Sequence, residues 1–261
     1  MTAMAPDHGS GGAGSGWARR MAGLCGALGI PLPGAAREHP LLRANRDAFA
    51  RVDHDIPLSE CSFTVLDTEL TGLDPRGDEI VSLGAVRLAG LSIRTQETFY
   101  CVVRPRRELP KASTLIHRLT PSQVREAAPL PEVLPGFVEF LGTSLIIGHN
   151  VGLDMGFLNR ACLSLMGGRL RNPCLDTMHM ARILRAQNWE NLYDRYDLRV
   201  SYSLADLAAE HGLPRFPAHN ALTDALQTAY LFVFLVRKLS GGGITTLRQL
   251  FEAGRAWRWY F

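Results

Sequence analysis

The segment Ser62-Phe-Thr-Val-Leu-Asp-Thr-Glu-Leu-Thr-Gly72 combines an apolar run, two carboxylates and a turn. Its apolar first half predicts a buried β-strand, and the Thr-Gly pair predicts a turn directly after it. Asp67 and Glu69 are two residues apart at the end of this strand, so both carboxylates point to the same face of the sheet. Two carboxylates on one face can bind hard cations such as Mg²⁺ or Mn²⁺, although a D-x-E pair alone is also common at solvated strand ends.

The segments that follow this strand predict an α/β protein. Two β-rich segments should pair with the first strand as an antiparallel meander, and helices then alternate with short apolar strands. This order predicts a mixed central sheet, with three antiparallel strands followed by parallel strands, flanked by helices. The predicted strands span residues 62–67, 79–88, 93–103, 144–148 and 174–176, and the predicted helices include 130–141, 154–166, 177–185 and 218–239.

Two more acidic residues lie in short downstream motifs. Asp154 occurs in Gly148-His-Asn-Val-Gly-Leu-Asp-Met-Gly-Phe157, near the start of a helix, and Asp224 occurs in His219-Asn-Ala-Leu-Thr-Asp224 at the start of the last long helix. Taken singly, Asp154 could be an ordinary helix N-cap, and Asp224 a surface carboxylate. Four carboxylates around one point would repel each other, and two divalent cations would balance them. Together they indicate metal-assisted phosphodiester hydrolysis, with His219 as a candidate general base.

The order and spacing of the three motifs resemble the DnaQ-like, polymerase III epsilon-type family of 3′–5′ exonucleases, which has an RNase H-like fold. The resemblance is to the subgroup known as DEDDh, whose motifs supply Asp, Glu, Asp, Asp and a histidine. It covers roughly residues 61–237 and extends to two secondary segments, Ile116-His-Arg-Leu-Thr120 and Cys174-Leu-Asp-Thr177. The first of these departs from the family pattern, since Arg118 stands where the family has glycine.

The resemblance implies a catalytic site with two divalent cations, Mg²⁺ or Mn²⁺. Asp67, Glu69 and Asp224 would bind metal directly, and Asp154 would bind the second ion directly or through water. His219 would deprotonate the attacking water. The implied reaction releases nucleoside 5′-monophosphates from the 3′ ends of single-stranded or frayed DNA, in proofreading or repair.

The resemblance also implies five substrate contacts around the carboxylates. Leu70 resembles an apolar wedge beside the terminal base, and Phe157 resembles a stacking or pocket residue, although both could instead belong to the core. Asn150 could bind a nucleotide or fix its own loop. The predicted substrate-binding set is Thr68, Leu70, His117, Asn150 and Phe157.

Two other functions remain open at the level of sequence. A 3′–5′ exoribonuclease of the same fold would carry the same motifs, because sugar discrimination depends on pocket contacts that the motifs do not reveal. A polymerase-associated binding subunit is the other alternative, against which the intact catalytic motifs argue. The expected partner is therefore nucleic acid, with DNA favoured, and a DNA polymerase or repair protein is a further candidate.

Composition and the positions of glycine and proline predict the domain organisation of the 261 residues. Residues 1–60 are expected to form an N-terminal appendage, disordered at first and then partly helical, from about Leu41 to Val52. Residues 61–239 form the predicted exonuclease domain, and residues 240–261 a C-terminal helix and an aromatic tail.

Charge, cysteine content and hydropathy limit the partners and the cellular environment that the sequence allows. A net charge of +3 permits a nucleic-acid partner without demanding one. Five scattered cysteines without a C-x-x-C pair, together with the lack of a long apolar segment, favour a cytoplasmic location. Arg19-Arg20 before an apolar stretch resembles an export signal, but glycines and prolines interrupt that stretch.

Overall fold

A six-stranded mixed sheet forms the centre of the computed structural model, which describes residues 37–74, 76–107, 119–187 and 200–254. The strand order is β4-β3-β2-β1-β5-β6, so the first strand of the chain lies in the middle. The strands are β1 (Ser62–Leu70), β2 (Ile80–Ala89), β3 (Ser92–Arg104), β4 (Ala128–Pro129), β5 (Leu145–Gly148) and β6 (Cys174–Asp176).

The pairing of these strands confirms the predicted mixed topology. β1 and β2 pair antiparallel, as do β2 and β3, whereas β5 pairs parallel to β1 and β6 pairs parallel to β5. The parallel strands end at the same edge as β1, so the motifs that follow β1, β5 and β6 meet there. The two-residue strand β4 was not predicted, because so short a segment has no alternating pattern.

Helices cover both faces of the sheet. Phe63 and Val65 of β1 pack on one face, in an apolar cluster that includes Phe232, and Leu66 packs on the other face in a cluster that includes Phe137. The helices are α1 (Pro40–Ala48), α2 (Pro121–Glu126), α3 (Leu130–Leu141), α4 (Gly152–Met166), α5 (Thr177–Gln187), α6 (Leu204–Glu210), α7 (Ala221–Lys238) and α8 (Leu247–Gly254), with short 3₁₀ turns at Leu58–Glu60 and Leu239–Gly242.

The helical part of the predicted N-terminal appendage packs into the domain core. Helix α1 is shorter than the predicted segment and ends at Ala48. Leu42 is fully buried in the cluster on the α3–α4 side, and the Asn45 amide donates to the Gly142 carbonyl at 2.8 Å. Packing therefore continues across the predicted boundary between residues 60 and 61.

The C-terminal helix α8 also packs against the domain. Leu250 is fully buried, and the Arg248 guanidinium pairs with the Asp55 carboxylate at 2.7 Å. The predicted disordered segment at the N-terminus and the aromatic tail at 255–261 lie outside the described residues. In the part of the chain that the structure describes, no helix combines the length and apolarity needed to cross a bilayer.

Candidate active site

Three carboxylates converge at the end of β1. Asp67 and Glu69 project from the same face of this strand, and Asp224 reaches them from the first turn of α7. One carboxylate oxygen from each residue lies within 4.8 Å of the other two. Three oxygen ligands at this spacing suit a hard divalent cation, which takes carboxylates as its preferred protein ligands.

A glycine on the neighbouring strand allows α7 to approach this closely. Gly84 of β2 pairs with Asp67, and a Cβ added at Gly84 would lie 2.1 Å from the backbone carbon of Ala221. The backbone at the start of α7 therefore rests on the backbone of β2. Sequence reasoning missed this residue, although a glycine inside a strand often marks a close backbone approach.

Asp154 lies beside the three carboxylates but outside their group. It occupies the first turn of α4, which begins at Gly152, rather than the N-cap position considered from the sequence. Its Oδ1 atom accepts hydrogen bonds from the Thr68 backbone N–H at 2.9 Å and from the Thr68 hydroxyl at 2.6 Å. Thr68, predicted as a substrate contact, thus binds Asp154 and ties α4 to β1.

His219 precedes α7 in an uncommon backbone conformation. Its φ angle is 67°, in the left-handed region that few residues other than glycine adopt. Its backbone N–H donates to Asp224 Oδ2 at 2.9 Å, and its side chain is exposed. The predicted base and the predicted ligand are therefore joined directly.

Loss of hydration and mutual repulsion raise the pKa values of these acids. The pKa of Asp67 is raised well above its ordinary value by desolvation, and then by the charges of Asp154, Glu69 and Asp224. Desolvation also raises the pKa of Asp154, although the bonds from Thr68 oppose the shift. It raises the pKa of Asp224 to about 6. A site of this kind favours bound protons or bound cations.

Two predicted substrate contacts are buried. Leu70 is 6% exposed and Phe157 is 1% exposed, and both belong to the apolar cluster between the sheet and α4. The Arg160 guanidinium lies 5.0 Å from the centre of the Phe157 ring. These positions correspond to the core interpretation that the sequence left open for both residues.

An exposed leucine that sequence reasoning missed lies just after β1. Leu73 is 73% exposed in the loop that follows Glu69, whereas Leu70 is buried. Leu73 therefore offers an exposed apolar surface in the loop after β1, whereas Leu70 does not. The signal was present in the sequence, because Leu73 follows the turn-forming Thr71-Gly72 pair.

Of the two other predicted substrate contacts, the structure describes Asn150 but not His117. Asn150 is exposed, has a φ angle of 61°, and its backbone N–H donates to Asp176 Oδ1 at 3.0 Å. Its backbone fixes the loop after β5, as one of the two sequence interpretations proposed. His117 lies outside the described residues.

The comparison with protein families supplies the decisive observation. A family model described as an exonuclease family, RNase_T, matches residues 64–232, which is more than half of the chain. The chain belongs to this exonuclease family. The matched segment contains Asp67, Glu69, Asp154, His219 and Asp224. The family membership supports a nuclease enzyme, and the acidic cluster of this chain points to dependence on divalent metal.

Bacterial DNA polymerase III proteins are similar to this chain. The PolC-type DNA polymerase III of Thermotoga maritima is 33% identical over 233 residues, which cover 89% of this chain and 16% of that protein. The DNA polymerase III subunit epsilon of Aquifex aeolicus is 31% identical over 182 residues, covering 70% of this chain and 84% of that protein. The chain thus spans less than a fifth of the length of the PolC-type relative.

A solved exonuclease structure shares the fold. Exonuclease I of E. coli, in complex with a dT13 oligonucleotide, superposes with a TM-score of 0.56 and 18% identity over 68% of this chain and 41% of that one. At this identity the likeness concerns the fold alone. It agrees with the mixed sheet predicted from the sequence.

Proposed function

We propose that this exonuclease-family chain is a metal-dependent 3′–5′ exonuclease that acts on single-stranded or frayed DNA ends and releases nucleoside 5′-monophosphates. The observation that carries the proposal is the convergence of oxygens from Asp67, Glu69 and Asp224 within 4.8 Å. These acids lie at the edge of the sheet where β1, β5 and β6 end, and Asp67 and Asp224 are partly exposed there, as the approach of a DNA 3′ end would require.

The donor set fits two divalent cations, Mg²⁺ or Mn²⁺. Asp67, Glu69 and Asp224 would hold metal directly, since their oxygens are already grouped. Asp154 would serve the second ion through Oδ2, because Oδ1 accepts both bonds from Thr68. When bound, the cations would supply positive charge that acidifies a water molecule and stabilises the charge developing on the phosphate.

His219 would act as the general base. The backbone N–H of His219 binds Asp224, and the charge of the exposed imidazole acts to lower the pKa of Asp224, so the ring is close enough to interact with this carboxylate. An imidazole nitrogen would take a proton from water as the new oxygen–phosphorus bond forms. The bond from phosphorus to the 3′ oxygen then breaks, and that oxygen takes a proton from solvent.

The preference for DNA rests on the relatives. Both polymerase III proteins are DNA polymerase components by name, and the Exonuclease I structure contains a dT13 oligonucleotide. A polymerase or repair complex is the partner that such relatives suggest for this chain.

Digestion of matched oligomers tests this proposal. Single-stranded DNA, blunt duplex DNA and RNA of one sequence are each labelled at either end and incubated with the full chain and Mg²⁺ or Mn²⁺. We expect 3′-labelled DNA to release labelled mononucleotide at once, and 5′-labelled DNA to shorten stepwise. Because duplex ends must fray first, we expect the blunt duplex to be digested at least about tenfold more slowly.

Each other outcome of this experiment contradicts a defined part of the proposal. Faster digestion of RNA would make the chain an exoribonuclease. Release of mononucleotide first from the 5′ label would reverse the polarity. Digestion that persists in excess chelator would remove the metal requirement.

A further inference from the structure

Tyr100, Gly84 and Asp67 form a row across three adjacent strands. Tyr100 of β3 pairs with Gly84 of β2, which pairs with Asp67 of β1. Residues paired in register on neighbouring strands project from the same face of a sheet. The start of α7 covers Gly84, so Tyr100 and Asp67 flank that helix end from opposite sides.

Asn220 connects Tyr100 to this helix end. Its Oδ1 atom caps α7 by accepting the backbone N–H groups of Leu222 at 3.1 Å and Thr223 at 3.2 Å. Its Nδ2 atom donates to the Tyr100 hydroxyl at 3.1 Å. The amide orientation is fixed because only Oδ1 can accept the two N–H groups.

The turn before α7 is stabilised by further hydrogen bonds. The Thr223 hydroxyl donates to the Pro217 carbonyl at 2.6 Å, and the His219 N–H donates to Asp224. These bonds lie within the turn and the first turn of the helix. The bond from Asn220 to Tyr100 instead joins the turn to β3, next to the residue with the left-handed backbone.

The Tyr100 hydroxyl is well suited to accept this bond. Tyr100 is 41% exposed, yet desolvation and the nearby Glu69 charge raise its pKa despite the bond from Asn220. The phenol is therefore neutral around neutral pH, and its oxygen remains a fixed acceptor. Phenylalanine at this position would keep the ring and remove the acceptor.

We propose that Tyr100 is a positioning residue for His219, because its hydroxyl holds Asn220 and thereby fixes the turn from which the imidazole projects. This inference rests on the proposed function of His219 as the base. Tyr100 acts through its neighbour and takes no proton itself.

Single-turnover digestion of single-stranded DNA by Tyr100→Phe tests this role. We expect the rate to fall about tenfold, with the KM for DNA and the Mn²⁺ requirement unchanged within about twofold, because neither substrate binding nor the metal ligands are altered. Asn220→Ser should have the same effect, since serine still caps the helix but is too short to reach Tyr100. Tyr230→Phe removes a hydroxyl further along α7 and should leave the rate unchanged.

Repeating the substitution in the His219→Ala variant distinguishes a positioning role of Tyr100 from a general structural role. In His219→Ala, measured with excess enzyme, Tyr100→Phe should cause no further slowing, because the group that it positions is gone. The proposal would be overturned if Tyr100→Phe slowed digestion equally in the wild type and in His219→Ala, or if it did not slow digestion by the wild type.

Hydrogen exchange makes the test independent of catalysis. Tyr100→Phe should accelerate amide exchange locally in residues 215–225, and Tyr230→Phe should not. If the wild-type chain digests no nucleic acid, the proposed function fails, and the local acceleration alone decides whether Tyr100 holds the turn. Unchanged exchange in this segment would overturn the positional claim.

Discussion

Asp67→Asn is expected to slow nucleotide release by at least about a thousandfold, equivalent to about 4 kcal/mol of transition-state stabilisation. Desolvation, and then the charges of all three acidic neighbours, raise the pKa of Asp67, and its oxygen lies within 4.8 Å of those of Glu69 and Asp224. Asparagine has nearly the same shape but carries no charge, so it weakens cation binding without opening a cavity. Initial rates on single-stranded DNA with saturating Mg²⁺ measure the effect.

The same substitution should stabilise the metal-free protein, and the effect should depend on pH. The folded-state pKa of Asp67 is raised, so between about pH 4 and that raised value the folded state binds more protons than the unfolded state. The free energy of unfolding of the wild type therefore falls as pH rises through this window. The neutral amide of the variant does not titrate, so the variant does not lose stability in this way as pH rises. We therefore expect its melting temperature to be about 2–6 °C higher than that of the wild type at about pH 8.

A surface control separates this effect from a general change in charge. Asp47 is exposed in helix α1, contacts Arg46 at 3.2 Å and is not part of the carboxylate cluster. Asp47→Asn should leave both activity and the pH dependence of melting unchanged. Wild-type turnover by Asp67→Asn would remove Asp67 from the metal site, and lower stability at every pH would contradict the cost of desolvation and repulsion that raises its pKa.

Gly84→Ala is expected to damage both stability and activity. The added Cβ would lie 2.1–2.3 Å from backbone atoms of Ala221 and Leu222, and backbone cannot rotate away as a side chain can. Helix α7 must move, which should lower the free energy of unfolding by about 3 kcal/mol. Because the shift also displaces Asp224 and His219, we expect at least about a hundredfold loss of rate. Chemical denaturation and initial rates measure the two effects.

Gly136→Ala is the matched control for this substitution. Gly136 lies within α3, and a Cβ added there meets nothing within 4 Å. We expect the free energy of unfolding to rise by up to about 1 kcal/mol, because alanine favours helix, with no change in activity. If Gly84→Ala behaves like Gly136→Ala, the close approach of α7 to β2 does not position the site.

Local patterns in the sequence were sufficient to predict most elements of the fold. Helix α2, for example, begins with a capping box formed by residues three positions apart, with the Thr120 side chain accepting from the Gln123 N–H and the Gln123 side chain accepting from the Thr120 N–H. The strands of the meander extend only slightly beyond their predicted ends. These features depend on residues within a few positions of each other, which a single sequence reveals.

The unpredicted features depend on contacts between distant segments. The bond from Thr68 to Asp154 spans 86 positions, and the contact of Gly84 with Ala221 spans an even longer stretch of chain. The burial of Leu70 and Phe157 could not be predicted either, because an apolar residue beside a site fits both a wedge and a core. The left-handed backbone of His219 has no glycine or asparagine at that position to signal it.

Calorimetric titration with Mn²⁺ at neutral pH measures whether the three grouped carboxylates bind divalent cations. We expect the wild type to bind Mn²⁺ and release protons, because desolvation raises the pKa of Asp154 to about 7 and that of Asp224 to about 6, so these carboxyls are partly protonated at neutral pH before metal binds. Proton release is measured by repeating the titration in buffers of different ionisation enthalpy. Asp224→Asn should weaken binding by at least about tenfold, or about 1.4 kcal/mol. Equal affinity in the two proteins, or wild-type binding without proton release, would contradict the account.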